Sequence, residues 1–308
     1  MITIWVPKRL VEIDLYNVAA QSPAALAEMS EKSYRQRVAY AAQKIRDSRA
    51  KIVMLTGPSA SGKTTSAHKV AEALEASGTP AHVISLDNFF KGAQYSPRLP
   101  DGTLDYENPD TLDLPLIKQC LRELSETGKT VLPIYDFSAE KRSAEVEPID
   151  LQGGVCIVEG IHALNPDVIT IPEEMTVRLY VSVRTRVTNG ETVLHPSRLR
   201  LMRRMLRDKN FRQRSVAETL SMFEHVQAGE HKYIAPYKKR ADFSIDTFLP
   251  YELGIYKTLL DGELEAEMQH PMLLELRQMW DDVAPLTLEH VPADSLVREF
   301  AGDSVFQY

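Results

Sequence analysis

The chain is poor in most of what would mark a secreted, membrane-spanning or nucleic-acid-binding protein. Of its 308 residues only two are cysteine, Cys120 and Cys156. They stand at no metal-ligand spacing and in apolar surroundings, which reads as two core thiols rather than a disulfide or a zinc pair. No run approaches the roughly 18 apolar residues that a membrane span requires. The opening MITIWVPKRLVEID sets no basic region before an apolar stretch, so it does not read as a secretory leader. A basic excess is missing as well: the net charge of −7 argues against a general nucleic-acid binder. Low-complexity segments and internal repeats are absent. What remains, 44% apolar and 26% charged residues, is the composition of a soluble globular protein with room for one large or two small cores. A cytoplasmic protein is expected, acting without a membrane, with self-association left open.

The pattern of apolar residues divides the chain into three. Residues 1–50 look like a helical extension: Ser22-Pro23 starts a helix, and Tyr34, Val38, Ala41 and Ile45 recur at helical spacing. From residue 51 to about 260, short apolar runs alternate with helices. KIVMLT, AHVISL, VLPIY, GVCIVEG, TVRLYVSV and DFSIDT read as strands, and KTTSAHKVAEALEAS and residues 114–124 as helices. Such alternation implies a doubly wound α/β domain with a mostly parallel sheet and helices on both faces. Residues 87–109 are rich in Gly, Pro, Asp and Tyr and are longer than a connection needs, so a working loop is expected there. Residues 261–308 form a second, mainly helical extension.

One motif carries chemistry by itself. Gly57-Pro58-Ser59-Ala60-Ser61-Gly62-Lys63-Thr64 fits G-x-x-x-x-G-K-[ST] at every fixed position, after a buried strand and before a helix. Its backbone N–H groups, through Thr65, are expected to curl around nucleotide phosphates, with the helix pointing its positive end at them. Lys63 would reach the β- and γ-phosphates, and the Thr64 hydroxyl would ligate Mg²⁺.

The loop does not say whether the phosphate goes to water or to an acceptor. No guanine-reading N-K-x-D is present, and the D-x-x-G at 150–153 follows a polar, proline-containing segment rather than a buried strand. Transfer to an acceptor needs a carboxylate near the acceptor hydroxyl and cations for the moving phosphoryl group. Asp87 ends the second strand, at the sheet edge where ligands of such folds bind, although an aspartate there also serves as an N-cap. Glu159 closes VCIVEG, where a carboxylate can face Mg²⁺ and where a surface glutamate is the alternative. Arg200, Arg203 or Arg204, and Arg207 recur at helical spacing, with Arg212 and Arg214 just beyond. A lid over a triphosphate, an RNA-binding helix and a solvated face all remain open readings of these arginines.

ISLDNFF, DYENPDTLD, LPIYDFSAEKR, VCIVEGIHALN, RRMLRDKNFRQR and IAPYKKRADFSI occur in the order seen in uridine/cytidine kinases. The chain therefore resembles that family, which belongs with phosphoribulokinase to one P-loop kinase group, and is most similar in type to a bacterial uridine kinase-like branch. The resemblance spans residues 51–260. It implies ATP as donor, Mg²⁺ as cofactor and a small alcohol, such as a nucleoside, as acceptor. It makes Asp87 the base for the acceptor hydroxyl and Glu159 a carboxylate on the Mg²⁺ side. Arg204 would bind the acceptor sugar, and Arg207, Arg212 and Arg214 would lie on the lid. Tyr135 and Phe137 would line the base pocket with Phe90 nearby.

The departures bear on the acceptor. Where the family grips the ribose with an aspartate, this chain has Glu107. Where a histidine reads the pyrimidine, it has Glu140 or, one residue on, Lys141. A base-holding glutamine becomes Met222. Much of a polar site's selectivity resides in such groups, so an acceptor other than uridine is a real expectation. The rival readings are a kinase of a phosphorylated sugar and a regulatory or RNA-associated ATPase on the same fold.

Overall fold

The computed structural model describes residues 9–136 and 139–306. In chain order it runs β1 (Leu10–Glu12), α1 (Ile13–Ala20), α2 (Pro23–Ser48), β2 (Ile52–Thr56), α3 (Lys63–Glu75), β3 (Ala81–Ser85), α4 (Leu114–Thr127), β4 (Lys129–Asp136), β5 (Lys141–Asp150) and β6 (Val155–Glu159). There follow β7 (Thr176–Ser182), β8 (Arg186–Asn189), β9 (Thr192–Leu194), α5 (Pro196–Arg212), α6 (Val216–Tyr233), β10 (Phe243–Asp246), α7 (Glu252–Glu265), α8 (Leu274–Arg277) and α9 (Arg298–Ala301).

Five strands form the central sheet in the order β10-β7-β2-β6-β3, every neighbouring pair parallel. All five were legible as short apolar runs, and the parallel arrangement follows from the helical crossovers between them. Side chains alternate across each strand and separate two apolar layers. Val53 and Leu55 of β2 join α2, α3, α5 and α7 on one face. Ile52 and Met54 join α4 on the other, where Ile117, Cys120, Leu121 and Leu124 fill the space. Both cysteines are free thiols buried in that second layer. Because β2 lies at the centre, its carboxyl end opens toward the ends of β6 and β3 on one side and of β7 and β10 on the other.

Local chemistry sets the helix ends. Proline occupies the first turn of α2, whose missing N–H costs nothing there. The Asp113 side chain caps α4, and Gly128 in the left-handed region closes it. Ser215 and Glu218 form a reciprocal capping box at the start of α6. The helix α2 lies along α3, and a buried bond of 2.8 Å between the Tyr34 and Ser66 hydroxyls ties it to the first turns of that helix.

Two small sheets accompany the core. One pairs β4 with the largely exposed β5; the other places β1 parallel to β8, with β9 antiparallel beyond. After α7 the tail continues through single turns and the one-turn helices α8 and α9. Residues 291–301 fold back over the start of α3 and against α5. Among the described residues no helix is long and apolar enough to cross a membrane.

Candidate active site

The loop 57–64 leaves β2 and turns into α3, and its two glycines are there for different reasons. A side chain on Gly57 would collide with the Val181 carbonyl. Gly62 has φ +82, and a side chain there would strike Leu296. Ala60 also sits at positive φ, 55°.

The loop's carbonyls are held from behind. Arg200 donates to Ser59 O at 2.9 Å, Arg203 to Ala60 O at 3.4 Å, Thr247 Oγ1 to Ser61 O at 2.7 Å, and Lys63 Nζ to Pro58 O at 3.3 Å. Arg203 is wholly buried and forms a two-pronged pair with Glu252 at 2.8 and 2.9 Å. Arg200 does the same with Glu230 at 2.7 and 2.9 Å. The sequence left a lid, an RNA-binding helix and a solvated face open for these arginines; the structure gives Arg200 and Arg203 to the loop's foundation.

The loop's N–H groups meet carboxylates. Ser59 N–H donates to Glu230 Oε1 at 2.8 Å, and Thr65 N–H to Glu299 Oε2 at 3.4 Å. The Thr65 hydroxyl also binds Glu299. The Ser61 hydroxyl is buried without a partner among the described residues.

The expected carboxylates converge beside the loop. Asp87 stands in the 3-10 turn that follows β3, its N–H on Ser85 Oγ at 3.3 Å. It keeps some solvent contact, yet the protein packed around its carboxyl raises its pKa, while Lys63, Arg212 and Arg207 pull the other way. Glu159 ends β6 in register with Leu55 of β2 and Ser85 of β3. Its Oε1 accepts from Thr64 Oγ1 at 3.4 Å. Burial, with the Asp87 charge next, pushes Glu159 up to about 7, against the opposing pull of Lys63. Two crowded carboxylates and a hydroxyl, all hard oxygen donors, fit a small divalent cation that takes its remaining ligands from water and phosphate.

The arginines of α5 and the turn after it gather on one acid. Asp208 is fully buried, and its carboxylate lies 3.3 Å from Arg204, 3.8 Å from Arg207, 3.2 Å from Arg212 and 4.0 Å from Arg214. Burial and the neighbouring Arg212 and Arg204 bring Arg207 down to about 10. The helix runs further than its apolar pattern indicates, through Arg212, where a cation in the last turn and an i,i+4 pair with Asp208 favour it. Gln213 then turns left-handed, and Arg214 lies beyond. Arg204 donates to Ser59 Oγ at 2.8 Å, so in this state it touches the loop.

The expected acceptor residues line one side. Phe90 and Tyr135 form a tilted ring pair with centroids 5.6 Å apart, and Tyr135 N–H donates to Asn88 Oδ1 at 3.3 Å. Glu140, exposed and at positive φ in the β4–β5 turn, adds its charge near the Tyr106 and Tyr135 hydroxyls. Phe137 lies outside the described residues. Glu107 packs over Gly229 of α6, which has no side chain to obstruct it. Burial, and then Glu230, push the Glu107 carboxyl up to about 7, although Arg204 and Lys63 favour its ionised form. Its Oε2 is buried without a partner among the described residues. Sequence reasoning passed over Asn88, Asp208, Gly229, Glu230 and Glu299. Asn88 and Asp208 had a signal, one beside Asp87 in LDNFF and the other a lone acid in an arginine run. Glu230 and Glu299 gave none.

A loop of this sequence on the central strand of a parallel sheet, with acids at the neighbouring strand ends, defines a P-loop phosphotransferase. The model of the phosphoribulokinase / uridine kinase family matches residues 52–250. The chain belongs to that family, and so is an ATP-dependent kinase. It is 28% identical over 200 residues to a uridine kinase of Lactobacillus johnsonii, covering 63% of this chain and 85% of that protein. It is 31% identical over 198 residues to one of Borrelia turicatae, with the same coverage. Among solved structures it aligns with a possible uridine kinase from Bacillus stearothermophilus at TM-score 0.49 and 17% identity, covering 69% of this chain and 98% of that one.

Proposed function

We propose that the chain transfers the γ-phosphoryl group of ATP, with Mg²⁺, to a hydroxyl of an uncharged small molecule, a nucleoside or another sugar-like alcohol. The observation that carries this reading is the position of Asp87. It stands in the 3-10 turn just after β3, beside the phosphate loop and in the electrostatic reach of Lys63, Arg207 and Arg212. In this reading Asp87 accepts the acceptor's hydroxyl proton. The acceptor oxygen bonds to the γ-phosphorus as the bond to the β–γ bridging oxygen breaks, and ADP leaves. Lys63, Arg207 and Arg212 compensate the charge that shifts between them, so most of the rate comes from positioning and electrostatics. Thr64 and Glu159, with Asp87 adjacent, would hold Mg²⁺. Bound there, the ion would neutralise the β- and γ-phosphate oxygens. The backbone of Gly57, Ser59, Ala60, Ser61, Gly62, Lys63, Thr64 and Thr65 cradles the phosphates, and Arg214 covers them.

An uncharged acceptor is favoured by the charges around its site. Arg200 and Arg203 are each committed to a glutamate of their own, Glu230 and Glu252, while Arg204, Arg207, Arg212 and Arg214 are gathered on the one acid Asp208. Glu107, buried beside Glu230, would offer a second phosphate an acid rather than a cation. The Phe90–Tyr135 pair supplies an apolar wall suited to a ring, with Glu107, Glu140 and Arg204 as the polar groups that would orient it.

ATP consumption against nucleosides, polyols and sugar phosphates tests the reading, with Asp87→Asn as the probe. The variant should bind ATP normally and turn over ~10²-fold more slowly or worse. ATP binding that collapses together with turnover would move Asp87 from the acceptor to the metal or the fold. ATP hydrolysis indifferent to every acceptor would refute transfer.

A further inference from the structure

The phosphate loop of this protein already holds an anion of its own. Helix α3 begins at Lys63, so the N–H groups of its first turn have no intrahelical acceptor and point at whatever the loop binds. One of them, Thr65 N–H, is taken by Glu299 Oε2 at 3.4 Å, and the Thr65 hydroxyl is taken by the same oxygen. Loop and first-turn N–H groups are the ones that cradle the phosphates of a nucleotide in this motif. A carboxylate and a phosphate cannot share them: both are anions, and each donor has one hydrogen.

Glu299 is brought there by a segment with its own anchors. Val305 N–H bonds Ala293 O at 3.0 Å, closing residues 293–305 into a compact strap. Leu296 is fully buried against Gly62. Asp294 pairs with Lys69 of α3, and Phe306 stacks on His68 with ring centroids 5.2 Å apart. On its other side the strap rests on α5. Asn210 donates to the carbonyls of Phe300 and Ala301 at 3.1 and 3.3 Å, and the Arg203 guanidinium lies 5.3 Å from the centre of the Phe300 ring.

We propose that Glu299 is an internal competitor for the nucleotide's phosphates, and that residues 293–305 form a strap that must release Thr65 before ATP is fully bound. The strap thereby sets the enzyme's affinity for its donor. Asn210, two residues before Arg212, joins the strap to the arginine end of α5, so the two move together.

The inference rests on the kinase reading of the loop, and the experiment separates the two. Mg·ATP and Mg·ADP affinities are measured by calorimetry for the wild type, for Glu299→Gln, and for Asp294→Ala, which loosens the strap without touching the loop. Removing a charge-assisted contact should tighten nucleotide binding ~10-fold in Glu299→Gln, and by a smaller factor in Asp294→Ala. In the wild type, hydrogen exchange of residues 294–302 should speed up when Mg·ATP binds. Unchanged or weaker affinity in a folded Glu299→Gln protein, or slower exchange across the strap on binding, would overturn the proposal. Absence of nucleotide binding in all three proteins would overturn the kinase reading with it.

Discussion

Asp208 offers the sharpest test of how the site is assembled, because one buried acid faces four arginines within 4.0 Å. Asp208→Asn keeps the shape and removes the charge. Arg204 and Arg207, with side chains only 8% and 21% exposed, then lose their counter-ion in surroundings that screen poorly. Arg212 and Arg214, at 44% and 36%, are wetter and lose less. Breaking one buried pair costs about 3–5 kcal/mol, and the amide still accepts a hydrogen bond, so the low end applies: ~3 kcal/mol. An unfolding entropy of about 2.1 cal/mol/K per residue over 308 residues converts that to a fall of roughly 5 °C in Tm. Released from a common anchor, the arginines repel one another, and kcat/KM should fall at least ~10-fold. Calorimetric unfolding of the ligand-free protein and initial rates at varied ATP read both effects. A variant within 1 °C of the wild type with unchanged kinetics would refute the view that Asp208 organises these cations.

Two further outcomes follow from Glu107. Its carboxyl is raised to about 7 from an ordinary 4.5, so the protonated form is the one the fold favours. Its contribution to stability is present below pH ~4.5 and is lost as pH rises through ~7. Glu107→Gln should therefore flatten part of the wild type's loss between pH 5 and 8 in urea midpoints, and parallel pH profiles would show the carboxyl to be solvated. Gly229→Ala places a methyl 2.5 Å from Glu107 Cβ and 2.7 Å from its Cγ, so the glutamate must shift. Alanine alone would favour the helix by about 1 kcal/mol. The expected result is a several-fold rise in acceptor KM at constant ATP affinity, and an unaltered KM would exclude Glu107 from the acceptor site.

The sheet, the loop and the direction of the arginine helix could be read from the sequence because each rests on local pattern. Short β-branched runs make KIVMLT and VCIVE strands, and helical spacing makes α2 and α5 helices. The strand β5 escaped because its side chains face water on most of its length, leaving no alternation to read. The short strands β1, β8 and β9 are too brief to carry a period. At the site, the motif identified the donors but not their partners. Glu230 meets Ser59 across 171 residues and Glu299 meets Thr65 across 234, distances over which only the finished packing decides who pairs with whom. The arginines show the same limit: spacing put Arg200, Arg203, Arg204 and Arg207 on a helix, while the finished packing gave Arg200 and Arg203 to the loop's carbonyls, Arg204 to both Ser59 and Asp208, and Arg207 to Asp208.

That 234-residue separation also has a meaning in time. A ribosome adding about 5–20 residues per second makes Thr65 and then needs roughly 10–50 s to reach Glu299. Through that interval Thr65 exists without the acid that later caps it. The competitor we propose for the nucleotide's phosphates is thus made after the loop it would occupy.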